Sequence, residues 1–195
     1  MIDQLENIDQ QIVLFINGYH NSFADPIMWV LSGKWTLIPL YLLCAYFLWR
    51  KYNWRQFGII ILGIVLCVLL TDQISVHLFK EVFQRYRPSH NLYLRPLLYF
   101  HETKPGGFYR GGQYGFVSSH AANYFGFLAF VSASFIREKK WFFTLLLLVG
   151  MLICWSRIYL GVHYLSDVIV GALIGILIGG LCWFIVNKYF LKEVK

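Results

Sequence analysis

The sequence predicts an all-α membrane protein: a bundle of about five transmembrane helices, preceded by N-terminal amphipathic, interfacial helices. Three observations carry that prediction. The 195 residues are 58% hydrophobic and 19% aromatic but only 14% charged, where a soluble domain carries about a quarter. The apolar residues gather in runs close to the roughly 20 needed to cross a bilayer. The charged residues sit at the ends of those runs and in one long loop. Backbone groups in lipid must bond within their own segment, so the runs are expected as helices. The length suits a single domain, 1–195.

The interfacial part covers 3–33. Leu5, Ile8, Ile12, Phe15 and Ile16 recur at helical spacing, as in an amphipathic helix on a membrane surface or capping the bundle. A turn from Asn21 to Pro26 leads to a short apolar helix ending near Gly33. The first span is 34–50, with an interior Pro39, and Arg50, Lys51 and Arg55 follow as a short basic loop. The second span, 57–79, is interrupted by Asp72 and His77. A polar outer loop occupies 80–117. Spans three, four and five are 118–136, 141–157 and 164–187, with a basic turn at 137–140 and a basic tail from Lys188.

Five spans place both short basic loops and the tail on one face, with Arg50, Lys51, Arg55, Arg137, Lys139, Lys140, Lys188, Lys192 and Lys195. Such a lysine and arginine excess marks the cytoplasmic side. The formal charge of +7 therefore reflects topology, not nucleic-acid binding. No separable signal peptide is expected, because Asp3, Glu6 and Asp9 precede the first apolar segment where a basic region would stand. Cys44, Cys67, Cys154 and Cys182 all fall inside apolar runs and read as small buried hydrophobes. Gly171, Gly175 and Gly179 form overlapping GxxxG repeats, suited to close packing within the bundle or to a dimer interface.

The topology brings three polar clusters to the outer face: Lys80 to Arg87-Pro88, Gly115 to His120, and Ser156 to Asp167. Ionisable groups at the edge of a span are costly unless they pair or function. Lys80, Arg87 and Arg157 supply three cations suited to a dianionic phosphate. The unpaired N–H groups that open the third span at Ser118, Ser119 and His120 suit an anion as well. His163 and Asp167 are four apart, on one face if a helix starts at Tyr164, so the carboxylate could hold the imidazole. The same residues could instead be a snorkelling arginine and a helix-capping aspartate. His163 then suits a nucleophile and His120 an acid for the leaving oxygen. No carboxylate or His/Cys set suggests a metal.

These segments resemble the three-part signature of the type 2 phosphatidic acid phosphatase superfamily, K-x6-RP, PSGH and SR-x5-H-x3-D. Here they read Lys80 to Arg87-Pro88, Val117-Ser118-Ser119-His120, and Ser156-Arg157 to His163 to Asp167. Val117 replaces the proline and Ser119 the glycine. The resemblance covers roughly 57–187. It implies a metal-independent membrane phosphatase, without cofactor, acting on a lipid phosphate or diphosphate. It assigns His163 as the nucleophile that becomes phosphohistidine, His120 as acid and then base, and Asp167 as the group orienting His163. Lys80, Arg87, Ser118, Ser119 and Arg157 would hold the phosphoryl oxygens. Undecaprenyl diphosphate is the first substrate expected, with lipid A, phosphatidylglycerophosphate or phosphatidic acid as alternatives and a lipid phosphotransferase as the rival class. The expected location is a bacterial inner membrane, multi-pass, with the site facing the periplasm; the oligomeric state is left open.

Outside the motifs, Asp72 reads as either a partner of a basic site residue or a purely structural hydrogen-bond group. His77 reads as a satisfied interfacial histidine, and Arg85 as solvated or touching headgroups. Ser156 either bonds within the site or caps the fourth span. The loop 89–114 reads as a lid or a headgroup-reading surface.

Overall fold

The computed structural model of the chain describes residues 2–33, 35–135 and 140–191. Its helices are α1 (Ile2–Asn17), α2 (Ala24–Leu31), α3 (Ile38–Lys51), α4 (Trp54–Phe83), α5 (Ser119–Phe135), α6 (Lys140–Tyr159) and α7 (Leu165–Leu191). The connection between α4 and α5 holds two short 3₁₀ turns and a small hairpin, β1 (Glu102–Lys104) paired antiparallel with β2 (Gly107–Phe108). Lys34, the turn 136–139 and the tail 192–195 lie outside the described residues.

Local chemistry starts several helices. Asn21 Oδ1 accepts from the N–H groups of Phe23 and Ala24, turning the chain into α2. Asn53 and Gln56 form a reciprocal capping box at the start of α4. Pro39, expected inside a span, stands in the first turn of α3, where its missing N–H costs nothing.

Among the described residues, α4, α6 and α7 are long and apolar enough to cross a membrane, at 30, 20 and 27 residues. The expected spans 34–50 and 118–136 correspond to α3 and α5, which have 14 and 17 residues. They rise about 21 Å and about 26 Å, less than an apolar layer of about 30 Å. The second expected span, 57–79, extends at both ends. It continues beyond Gln73 as a π-helical stretch, Ile74–Lys80, and a last turn, so Lys80 stands on a helix and not in the loop.

The tightest contact joins α5 to α7. A Cβ on Gly175 would lie 2.3 Å from the Ala122 carbonyl oxygen, and one on Gly179 would lie 2.1 Å from that of Gly126. Gly171 faces the Ser118 carbonyl in the same way, at 2.7 Å. The glycine repeat is thus used inside the chain, letting two backbones touch. Cys44 and Cys67 are buried, Cys154 and Cys182 half-buried, and all four are free.

Helix α1 has two distinct faces. Leu5, Ile8 and Phe15 are exposed, while Asp9, Val13, Ile16 and Asn17 are buried. The packed face therefore carries two polar residues, and the larger apolar side chains point away. Val13 and Ile16 join Leu94, Leu98 and Phe100 of the α4–α5 connection and Ile158 to Val162 in one apolar cluster. Asn17 fastens it: its Nδ2 donates to the carbonyls of Tyr99 (2.9 Å) and Tyr159 (2.7 Å), and its Oδ1 accepts from Tyr99 N–H (2.8 Å). At the far end of the bundle, Lys51 and Tyr52 both reach the Ser134 carbonyl, so the C-termini of α3 and α5 meet there.

Candidate active site

The C-terminus of α4, the N-terminus of α5 and the α6–α7 turn converge on one cavity of about 480 Å³. Lys80, Arg87, Ser119, His120, Arg157 and His163 all line it. Asp72, Asn123 and Tyr109 complete its polar wall, while Leu37, Tyr41, Val68 and Ile153 form an apolar one. Tyr41, Val68 and Asn123 also line an adjoining apolar groove of about 440 Å³ between α3 and α4.

His163 is almost fully buried, one residue before α7's N-terminal flank. Its Nδ1 lies 3.3 Å from Asp167 Oδ2, and its Nε2 lies 3.0 Å from Arg87 Nη1. A guanidinium can only donate, so this bonding assigns the proton to Nδ1 and a lone pair to Nε2. Burial holds His163 well below the ordinary imidazole value, and Arg87, Arg157 and Lys80 push it further down. The contact with Asp167 is accordingly a hydrogen bond from a neutral ring, not an ion pair.

Each cation is aimed by its own contacts. Arg87 donates from Nε to the Tyr114 carbonyl and from Nη1 to that of Val162, both at 3.1 Å. Burial and the neighbouring Arg157 bring Arg87 down to about 10. Arg157 is 2% exposed; it donates to Ser32 Oγ and, at 3.0 Å, to Tyr109 Oη, while its Nε is buried without a partner. Lys80 donates to Ser119 Oγ at 2.5 Å, and Ser119 Oγ also meets Ser75 Oγ at 2.6 Å. Ser119 heads α5, so its N–H has no partner in a preceding turn.

Two expected members stand back from the cavity wall. Ser118 is fully buried; its N–H donates to the Asp167 carbonyl (3.0 Å), and its Oγ accepts from Ala121 N–H (3.5 Å). Its amide is therefore engaged in joining α5 to α7 and does not face the cavity. Asp167 lies behind His163, and its Oδ2 also accepts from Tyr164 N–H at 3.0 Å.

Arg85 overturns its expected place at a solvated surface. Its Nη1 donates to Asp167 Oδ1 (3.0 Å) and Ser166 Oγ (2.7 Å), and its Nη2 to Asp9 Oδ2 (2.8 Å). The guanidinium also stacks 4.1 Å over the Tyr164 ring. Asp9 closes the network by accepting from Ser166 N–H at 3.0 Å. Asp9 lies in no motif and Arg85 falls on an unspecified position of the first, and their bonds cross 76 and more residues of chain. The one signal in the sequence was the helical spacing that sets Asp9 in line with Val13 and Ile16.

The other open readings resolve simply. Asp72 faces the cavity and accepts from Asn123 Nδ2 at 3.3 Å. His77 bridges Gln73 and Glu81 on its own helix. Ser156 Oγ bonds the Ile153 carbonyl at 2.7 Å inside α6, which continues to Tyr159, so it caps nothing.

A family model described as the PAP2 superfamily matches residues 60–191. A lipid A 4'-phosphatase of Bacteroides thetaiotaomicron is 34% identical over 96% of this chain and 81% of its own length. One from Porphyromonas gingivalis is 33% identical over 91% of this chain and 72% of its own. The crystal structure of a PAP2-type phosphatidylglycerolphosphate phosphatase from Bacillus subtilis superposes with a TM-score of 0.63 at 21% identity. The match covers 98% of this chain and 88% of that one.

Proposed function

The chain belongs to the PAP2 superfamily, and from that membership we propose a membrane lipid phosphatase that works through a phosphohistidine at His163, with lipid A as its substrate. The observation that supports this most is the cavity itself. Three side-chain cations and two imidazoles line one space of about 480 Å³, with the His163 Nε2 lone pair toward it.

In the proposed reaction Arg87 leaves Nε2 for a phosphoryl oxygen as substrate enters, freeing the lone pair. Nε2 attacks phosphorus while the P–O bond to the lipid breaks, and His120 protonates the departing oxygen. Asp167 holds Nδ1–H and stabilises the positive charge that develops on the ring. Lys80, Arg157 and the Ser119 amide balance charge on the equatorial oxygens. Neutral His120 then takes a proton from water, whose oxygen displaces Nε2 and releases inorganic phosphate. In this scheme side-chain cations do the work a metal would otherwise do.

Two relatives above 30% identity move the substrate preference from undecaprenyl diphosphate to lipid A. The adjoining apolar groove is placed to receive a hydrocarbon chain. We further propose that α3 and α5 cross the membrane together with the three longer helices, and that the site faces the periplasm of an inner membrane. The basic residues Lys51 and Arg55 sit at the opposite end of α4 from Lys80, as the positive-inside rule requires.

His163→Asn should lower phosphate release from lipid A by about three orders of magnitude or more, and His120→Asn by about two to four. Wild-type turnover should persist in EDTA. Normal release by His163→Asn rules out the phosphohistidine, and loss in EDTA with rescue by a divalent cation rules out the side-chain scheme. For orientation, a cysteine at Tyr93 should react with an impermeant maleimide in intact cells and one at Lys51 only after lysis. The reverse pattern inverts the protein.

A further inference from the structure

The α4–α5 connection forms an open hollow of about 510 Å³, lined by Leu92, Leu98, Phe100, Phe108, half-buried Arg110 and exposed Arg95. Among the described residues, neither arginine side chain meets a carboxylate or any hydrogen-bond acceptor. Arg110 Nε is shut off from solvent with no partner, and its guanidinium lies 5.4 Å from the Phe100 ring centre. Arg85 is held differently, by two carboxylates. Two unneutralised guanidinium groups around one hollow leave positive charge for a ligand to match.

This hollow is one peptide strand away from the catalytic cavity. Tyr109, Gly111 and Gly112 line the catalytic side, and Arg110, between them, lines the other. The strand is fixed to the Arg87 segment. Ser89 Oγ donates to the Arg110 carbonyl at 2.7 Å, and Gly111, at φ +67, lies so close that a Cβ would sit 2.9 Å from Arg87 Nη1. His90 is held below the ordinary imidazole value by burial and then by Arg87, Arg110 and Arg95, so the three cations share one field. The rim is apolar and open, with Leu92 81% and Phe108 49% exposed. That combination suits an anion attached to an amphipathic molecule better than a small free ion.

We propose that the Arg95–Arg110 cavity is a second anion site, taking a phosphate or comparable anionic group carried elsewhere on the lipid headgroup while the catalytic cavity holds the phosphate to be cleaved. The proposal rests on the lipid phosphatase reading and sharpens its substrate class to headgroups with two anionic groups. The strand from Tyr109 to Gly112 then measures the separation between them.

The test compares a glycolipid bearing two phosphates with its counterpart lacking only the remote phosphate, using wild type, Arg95→Gln, Arg110→Gln and the double variant. Wild type should show a KM about tenfold lower for the doubly phosphorylated lipid, with similar kcat. The double variant should lose that preference, while its kcat and KM on the singly phosphorylated lipid stay within about twofold of wild type; that unchanged activity also reports an intact fold. Equal KM values for the two lipids in wild type overturn the proposal, as does a variant equally impaired on both. If the variants lose only a stimulation by phosphatidylglycerol in mixed micelles, the site reads bulk lipid and the substrate assignment fails. Absence of phosphate release from either lipid by wild type refutes the phosphatase reading itself.

Discussion

His163 divides two charged regions that are built on opposite rules. On its cavity side stand Lys80, Arg87 and Arg157, none of them paired with a carboxylate among the described residues. On its other side Arg85 is clamped between Asp9 and Asp167, at 2.8 and 3.0 Å. Buried charge is costly when unpaired, and pairing it recovers much of the cost only with good geometry. The rear cluster has that geometry and reads as construction. The forward cluster sets three cations against the one carboxylate on its cavity wall, Asp72, which leaves an excess of positive charge for an anionic substrate to complete. Function and stability are therefore expected to separate across one imidazole ring.

A matched pair of substitutions tests that separation most strongly. Lys80→Met keeps the stem and removes one forward cation. Turnover should fall by about 100-fold or more, the scale of one lost donor to a developing oxyanion. Thermal stability in detergent should stay level or rise, because a desolvated and unpaired ammonium has gone. Arg85→Met removes the rear cation and leaves Asp9 and Asp167 facing each other. Breaking a fully buried pair costs about 3–5 kcal/mol; the Arg85 side chain is 25% exposed, so about 2 kcal/mol is expected. Its kcat should fall less, about tenfold, through a less firmly held Asp167. If Lys80→Met unfolds the protein and Arg85→Met leaves stability untouched, the two regions have been assigned the wrong way round.

The forward region could be read from the sequence and the rear one could not, for a physical reason. Lys80 and Arg87, Ser118 to His120, and Arg157 to Asp167 lie in short windows whose spacing is set by a helix end or a turn. Local periodicity and span topology were enough to bring Lys80, Arg87, Ser119, His120, Arg157 and His163 to one rim, but not to show that Ser118 stands behind it. Arg85 lies within the first window but outside its pattern, and its partners come from α1 and α7. Nothing local records a contact between Asp9 and Arg85, or between Arg157 and Ser32. Helix α1 shows the same limit. Its apolar spacing left open a membrane-surface or a bundle-capping face; Leu5, Ile8 and Phe15 stand exposed, while Asp9, Val13, Ile16 and Asn17 pack on the bundle, and apolar spacing alone does not mark the two polar members of that face. The π-helical extension to Lys80 was hidden too, since nothing in ISVHLFK marks a widened turn.

A smaller effect sharpens the comparison at the ring itself. Burial and three cations lower the His163 value, so protonation is opposed from the cavity side while Asp167 accepts the Nδ1 proton from behind. For a depressed imidazole the neutral form persists as pH falls through 6.5, and the charged form is reached only well below it. In ¹⁵N spectra of the free enzyme, His163 should thus remain neutral at pH 6, protonated on Nδ1, where an ordinary histidine is mostly charged. Binding a phosphate analogue such as orthovanadate matches the cations and removes most of their repulsion. If the oxyanion binds without bonding to Nε2, the His163 titration should move upward. A covalent adduct would instead give a charged ring carrying its proton on Nδ1, with a distinct Nε2 shift. Either response places the cation field in front of the ring. An imidazolium already present at pH 6 in the free enzyme would mean that Asp167, not the cations, dominates His163, and the forward region would lose its claim to be reserved for an anion.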